Sequence, residues 1–248
     1  MLKRGVRLPE SVSQYWATHR IWDRWEIEAF ETKNRTEHIR QRKLTIDAIK
    51  DIASPGLRVL DMCCGTGRVA YDLLSLPNVC EVLAIDINER ALSLLTKRLS
   101  NHPAKSKLRI LNLDIMSEGA IASLGKYDVV ICLDSLHHLW NLRIALSRIS
   151  QLLKSNGVFI GNYLTAENMP DHAIAKKGRI KHLQDKILTR VFIFLGFFDW
   201  LWDFSGKSGI VRISWLEKNR LISLLNNEYA IVKSVYSDYF WFVARPKP

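Results

Sequence analysis

Cysteine is scarce in this chain, with four in 248 residues, at positions 63, 64, 80 and 132. They show no C-x-x-C spacing and no histidines cluster around them, so neither a disulfide framework nor a structural zinc site is expected. A reducing cytoplasm suits such usage. Long apolar runs are missing too, and no segment approaches the roughly 20 residues that span a bilayer. Residues 1–10 are basic but lack the apolar stretch of a secretory signal. No repeat recurs at periods of about 20 to 50 residues, which argues against solenoids and propellers. Acidic residues are in deficit, 25 against 36 Lys and Arg, giving a formal charge of +11.

That excess charge fits a nucleic acid, an anionic membrane surface, an acidic substrate, or simply a solvated basic surface. The cations are scattered through Arg35, Arg40, Arg42 and Lys43, then Lys176, Lys177, Arg179 and Lys181. No RNA-binding module accompanies them, so nucleic acid is not an expected partner. A hydrophobic fraction of 48 % and eight tryptophans are ample for a packed core. The length suits one α/β domain with room for an extra lobe.

Residues 10–52 are expected to be helical. Tyr15, Trp16, Ile21, Trp22, Trp25 and Ala29 recur at helical spacing, and Leu44, Ile46, Ile49 and Ile52 form a second apolar face. Ser54-Pro55-Gly56 breaks that pattern. Strands are then expected over 58–62, 81–86, 108–114, 127–133 and 158–163. Helices over 68–74, 91–99 (capped by Asn88) and 142–153 separate them, with Gly157 placed as the stop of the last. The strands are nearly continuous apolar runs, as in a parallel sheet covered on both faces. A helix over 215–225 precedes two more strands, 230–236 and 239–244. Only Ser237 and Asp238 separate these, too few residues for a crossover, so they must pair antiparallel.

The segment Leu57-Arg58-Val59-Leu60-Asp61-Met62-Cys63-Cys64-Gly65-Thr66-Gly67 carries the most chemistry. An aliphatic strand ends in a carboxylate, and a small-residue loop leads straight into a helix. Glycines in such a loop let backbone N–H groups approach a ligand closely. Asp61 would repel a pyrophosphate but attract a cationic amino acid moiety. These residues resemble the hydrophobic-Leu-Asp-x-Gly-Cys-Gly-Thr-Gly pattern of class I S-adenosylmethionine (SAM)-dependent methyltransferases, with Cys63 where the first glycine is usual. Gly65-Thr66-Gly67-Arg68-Val69-Ala70 also fits the G-x-G-x-x-A dinucleotide fingerprint, which keeps a dehydrogenase as the competing reading.

The resemblance implies a seven-stranded Rossmann-like sheet, parallel with an antiparallel C-terminal hairpin and with helices on both faces. One domain would span 1–248: an N-terminal helical cap (10–52), a SAM-binding core (57–163), a helical lid insertion (165–214), and a terminal helix and hairpin (215–248). The cofactor implied is SAM, lined by Asp61, Cys63, Gly65 and Gly67. Asp86 ends the second strand, where a carboxylate can accept both ribose hydroxyls, and Ile87 can cover the adenine. The same acid would serve an NAD ribose. Asp114 resembles the family's acceptor for the adenine amino group, with Ile115 beside it, although Asp114 could equally cap the turn at Met116-Ser117. Leu133 and Asp134, at the end of the fourth strand, would line the methionine part of SAM.

His137 and His138 follow in a Leu-His-His-Leu turn frequent in the family. Either imidazole could accept a proton from a hydroxyl or amine acceptor, or both could simply pack the turn. Alignment of nucleophile, methyl and sulfur is the main demand of methyl transfer, so no metal is expected. The family's N-terminal helices and the segment after strand five cover the acceptor. Tyr15, Trp22, Trp25, Phe197 and Trp200 would therefore form its walls, suited to a small hydrophobic or aromatic molecule. Residues 187–202 are the most apolar stretch, and a buried lid helix, a dimer contact or a membrane-interface helix would each bury it. A lipid or quinone acceptor at a membrane surface is thus an alternative, as is a SAM-binding protein without catalysis. Strand four ends in Leu-Asp-Ser-Leu and lacks the Asn/Asp-Pro-Pro-Tyr-like tetrad of many amino-methylating nucleic-acid enzymes.

Overall fold

The computed structural model describes residues 36–139, 141–165, 201–205, 209–213, 216–237 and 239–247. Helix α1 (Thr36–Lys50) leads into β1 (Leu57–Met62), α2 (Arg68–Leu74), β2 (Val79–Asp86), α3 (Glu89–Arg98) and β3 (Leu108–Asn112). Next come β4 (Tyr127–Cys132), α4 (Leu142–Leu152), β5 (Leu153–Tyr163), β6 (Leu201–Ser205) and β7 (Gly209–Ile213). Helix α5 (Lys218–Glu228), β8 (Tyr229–Tyr236) and β9 (Phe240–Pro246) follow.

Seven strands form one sheet in the order β3-β2-β1-β4-β5-β9-β8. Strands β1 to β5 are mutually parallel, while β9 runs antiparallel between β5 and β8. This is the expected mixed sheet with its terminal hairpin. Successive residues of a strand face opposite sides. Val59 and Ile131 accordingly join an apolar layer with Ile49 of α1, Leu73 of α2 and Leu95 of α3. Leu60 and Val130 join the other layer, with Ile149 of α4 and Leu225 of α5. Chain order reverses between β1 and β4, and open α/β sheets bind ligands outside the strand ends at such a switch point.

Asn88 caps α3 as expected, its side chain accepting from Ala91 N at 3.0 Å. Three local expectations are corrected. Gly157 does not stop α4, which ends at Leu152 and passes directly into β5. Glycine is needed at 157 for room instead, because a Cβ there would meet Leu153 Cδ2 and Lys154 O at 3.0 Å. Strand β3 ends at Asn112, two residues before Asp114. The insertion is not helical throughout, since β6 and β7 pair antiparallel with Leu201 opposite Ile213. Its β-branched and aromatic content favours strand, which an apolar run alone does not distinguish from helix. Residues 166–200 lie outside the described residues. The β7 backbone passes close to the turn at Leu136–His138, at the carboxyl end of β4. Among the described residues no helix is long and apolar enough to cross a membrane.

Candidate functional site

The loop between β1 and α2 is laced to the end of β2. Cys64 N donates to Ile85 O (3.0 Å), Gly67 N to Cys64 O (3.0 Å), and Gly65 N to Asp86 Oδ2 (2.8 Å). Arg98 of α3 reaches back to Thr66 O and Oγ1, both at 3.1 Å. Gly67 has φ +75°, and a Cβ there would stand 2.4 Å from Leu95 Cγ, so the position needs glycine twice over. Cys63 has φ 58°. That left-handed backbone explains why glycine is usual at this point of the pattern, and a side chain there costs about 1 kcal/mol.

Asp61 is only 3 % exposed. It accepts the backbone N–H of Ala70 in the first turn of α2, whose N-cap Gly67 supplies no side-chain bond. Its Oδ2 is buried without a partner. Burial, and secondarily the negative charge of Asp86, push the Asp61 carboxyl up to about 7. An acceptor oxygen with nothing to accept is costly in a protein alone. An ammonium group reaching it, directly or through one water, would relieve that cost, so the site suits a cationic amino acid moiety. Asp86 accepts from Asn88 N through Oδ1 (2.8 Å) and from Gly65 N through Oδ2. Burial raises its carboxyl while these N–H groups oppose the shift. The backbone thus holds both oxygens at the loop, where each keeps lone-pair capacity for a hydroxyl donor.

The remaining expected cofactor residues divide. Ile87 and Leu133 are half-buried beside this loop and the β4 end. Ile115 is 4 % exposed and packs in the core, so its side chain faces the layer beneath the sheet. Asp114 Oδ1 accepts from Met116 N at 2.8 Å, and Ser117 N donates to Asp114 O at 3.0 Å. The turn-capping role weighed from sequence is therefore present at Asp114.

Beyond Cys132, whose thiol is hydrogen-bonded to Cys63, Asp134 has φ 54°. Asn162 of β5 clamps it, with Asp134 N donating to Asn162 Oδ1 (2.6 Å) and Asn162 Nδ2 donating to Asp134 Oδ1 (2.8 Å). Asn162 also donates to Gln41 Oε1, and Gln41 Nε2 donates to Glu37 Oε1 at 3.0 Å. The other Asp134 oxygen lies 2.7 Å from His38 Nδ1. His137 is buried, its Nδ1 without a partner, and burial with the neighbouring His138 and His38 holds its imidazole well below the usual range. Its ring lies 4.2 Å from that of His138 and 5.9 Å from Tyr163, centroid to centroid.

Sequence reasoning missed His38, Gln41 and Asn162. Asn162 did carry a signal, an amide inside the apolar run Val158-Phe159-Ile160-Gly161-Asn162-Tyr163. His38 carried none, since its partner is 96 positions away. The expected acceptor walls Tyr15, Trp22, Trp25, Phe197 and Trp200 lie outside the described residues. Among the described residues no cluster suited to a metal ion occurs.

Residues 60–159 match the family model of a methyltransferase domain. The chain is 27 % identical over 152 residues to a demethylmenaquinone methyltransferase of Leptospira interrogans, covering 61 % of this chain and 57 % of that one. An uncharacterized methyltransferase of Schizosaccharomyces pombe is 27 % identical over 137 residues, covering 51 % and 48 %. The chain thus spans about half the length of the curated relatives it matches. Magnesium protoporphyrin IX methyltransferase from Synechocystis PCC 6803, solved with bound SAM, superposes with TM-score 0.61 at 16 % identity, covering 98 % of this chain and 100 % of that one. N-methyltransferase NodS from Bradyrhizobium japonicum, in complex with S-adenosylhomocysteine, gives 0.58 at 14 %, covering 96 % and 98 %. Those two likenesses speak for the fold. A dinucleotide domain accounts for neither the hairpin inserted beside β5 nor the matched domain, and over residues 60–159 the chain is similar to the methyltransferase domain on a Rossmann-like methyltransferase fold.

Proposed function

We propose that this protein transfers a methyl group from SAM to a small hydrophobic or aromatic acceptor. The observation that carries the reading is the buried, unpartnered Asp61 Oδ2 beside the glycine loop. SAM supplies a methyl group activated on a sulfonium. In this reading Asp61 holds its ammonium, Asp86 its ribose, Ile87 and Leu133 its apolar flanks, and Gly65 and Gly67 keep the loop close. Asp134, expected from sequence to line the methionine part of SAM, has its two oxygens engaged by Asn162 and His38, so in this reading it stands with the histidine turn on the acceptor side. The nearby β7 backbone supports an insertion that folds over this end of the sheet. The direct test is calorimetry with SAM and NAD, followed by S-adenosylhomocysteine release over a panel of phenols, quinols and amines. Micromolar SAM binding without NAD binding is expected, and tight NAD binding would sink the reading.

Cys63 gives a second check. Cys63→Gly is expected to leave SAM affinity within about twofold and to hold or raise the melting temperature, because the left-handed backbone suits glycine. A loss of turnover at unchanged affinity would give the thiol a chemical role.

The Leptospira relative favours a second reading, a quinone-like acceptor taken from a membrane surface. Residues 187–202 are too apolar to face water. If they form a lid, replacing Phe197 and Trp200 with alanine should raise the acceptor KM or lower kcat at unchanged SAM affinity. If they lie on a membrane, wild-type protein should co-sediment with anionic vesicles in a salt-dependent way, through Lys176, Lys177 and Lys181. No strong sedimentation is expected, and a clear vesicle-bound fraction would promote the quinone reading.

A further inference from the structure

The histidine turn was the obvious place for a general base, yet the best-prepared imidazole lies elsewhere. His38 sits in the first turn of α1 with its side chain 19 % exposed but its Nε2 buried, away from bulk water, and its Nδ1 is 2.7 Å from Asp134 Oδ2. A carboxylate only accepts, so the shared proton belongs to Nδ1, and Nε2 carries the basic lone pair of the neutral ring. Asp134 cannot turn away, because Asn162 grips both its backbone N–H and its other oxygen. Asn162 is held in turn by Gln41, and both are buried. Such a network is costly unless fully connected, and it fixes one oxygen toward one imidazole. Asp134 itself has φ 54°, a left-handed backbone in a non-glycine residue at the carboxyl end of β4, where ligands bind. Around the pair stand aromatic groups, with the Tyr239 ring 5.8 Å from His38 and 6.3 Å from His137. Among the described residues His137 has no comparable carboxylate in contact, and burial disfavours its protonation.

We propose that His38, oriented by Asp134, is the general base of methyl transfer to a phenolic hydroxyl. The proposal rests on the methyltransferase reading above. As the hydroxyl oxygen forms its bond to the methyl carbon, the carbon–sulfur bond gives its electron pair to sulfur. The hydroxyl proton passes to His38 Nε2. The imidazolium so formed is paired with the Asp134 carboxylate, and the proton later leaves to solvent. Asp134 is a positioning residue for this step, acting through the tautomer of His38.

The test compares two acceptor probes, catechol and 4-nitrocatechol, at pH 8, where the nitro compound arrives already ionised. His38→Ala should lower turnover of catechol by about 10²-fold or more while changing turnover of 4-nitrocatechol only a few fold, because a base is needed only for the protonated acceptor. Asp134→Asn should reproduce the selective loss, and the double variant should be no worse than the worse single one. Calorimetry should place SAM affinity of His38→Ala within about twofold of wild type. Nitrogen-15 NMR of the full-length histidine-labelled protein should show His38 as the Nδ1–H tautomer in wild type and shift it in Asp134→Asn. Equal loss on both probes would make the pair an anchor for α1 and overturn the proposal. So would an Nε2–H tautomer in wild type, or turnover of neither probe by protein that binds SAM. Absence of SAM binding by wild type would instead remove the methyltransferase reading itself.

Discussion

Asp61→Asn is expected to weaken SAM binding by about 2–4 kcal/mol, roughly 30- to 900-fold, and to make the ligand-free protein more stable at pH 8. The two effects share one cause. Burial and the Asp86 charge raise the Asp61 carboxyl from its ordinary value of 3.8 to about 7. Between those values the folded protein keeps a proton that the unfolded chain gives up, so stability falls as pH rises from about 4 to about 7 and stays low above. Asparagine keeps the shape and the acceptor for Ala70 N–H but cannot ionise, so it removes that loss. It also turns a donor toward the ammonium it should attract. Melting curves at pH 5 and pH 8 should diverge more for wild type than for the variant. Wild-type SAM affinity should weaken toward tenfold per unit as pH drops below about 7, where a proton competes with the ligand's cation. Unchanged affinity in Asp61→Asn would remove the role assigned to its buried oxygen.

Asp86→Ala should be comparably severe for the ligand, costing on the order of 2–4 kcal/mol of SAM binding. Here the ligand-free protein loses as well. Gly65 N and Asn88 N each lose an acceptor 2.8 Å away, and the loop comes off the end of β2. Removing the Asp86 charge also lowers the Asp61 carboxyl in part, while burial, the larger cause, still holds it up. Calorimetry combined with thermal melts separates the two variants: Asp61→Asn binds poorly but is stabilised at pH 8, whereas Asp86→Ala binds poorly and is destabilised. A variant at position 86 that binds SAM normally would refute the ribose role.

The sheet was legible because its signal is local. Alternation of apolar runs with capped helices placed β1 to β5, and the two-residue gap before Tyr239 forced the antiparallel hairpin. The cradle was legible for the same reason, since Asp61, Gly65 and Gly67 fall within seven positions. Boundaries failed where one residue type serves two ends. Gly157 looked like a helix stop but is small because Leu153 and Lys154 crowd it. Asp114 was expected to end the third strand, but the strand stops at Asn112 and the Asp114 carboxylate caps the following turn, the alternative also read from the sequence. The insertion misled because Trp202, Phe204, Ile210 and Val211 are as apolar as a buried helix would be, and only partner pairing distinguishes a ribbon. The His38–Asp134–Asn162–Gln41 chain was illegible because its members lie on α1, after β4 and on β5. Hydrogen bonds across 96 and 121 positions leave no periodicity.

The position of β9 sets a timetable for folding. Strand β5 is complete at Tyr163, but the neighbour that closes its outer edge begins at Phe240, 77 residues later (240 − 163). At about 5–20 residues per second, a chain emerging from a ribosome carries that open edge for roughly 4–15 s. Every residue from Gly157 to Tyr163 is destined for burial, so the waiting edge is apolar on both faces. Helix α1 waits too, because the Trp241 indole that donates to Thr45 Oγ1 arrives with β9. The nascent chain is therefore most prone to aggregate after β5 has formed and before β9 docks, and synthesis stalled in that interval should yield insoluble rather than native-like protein.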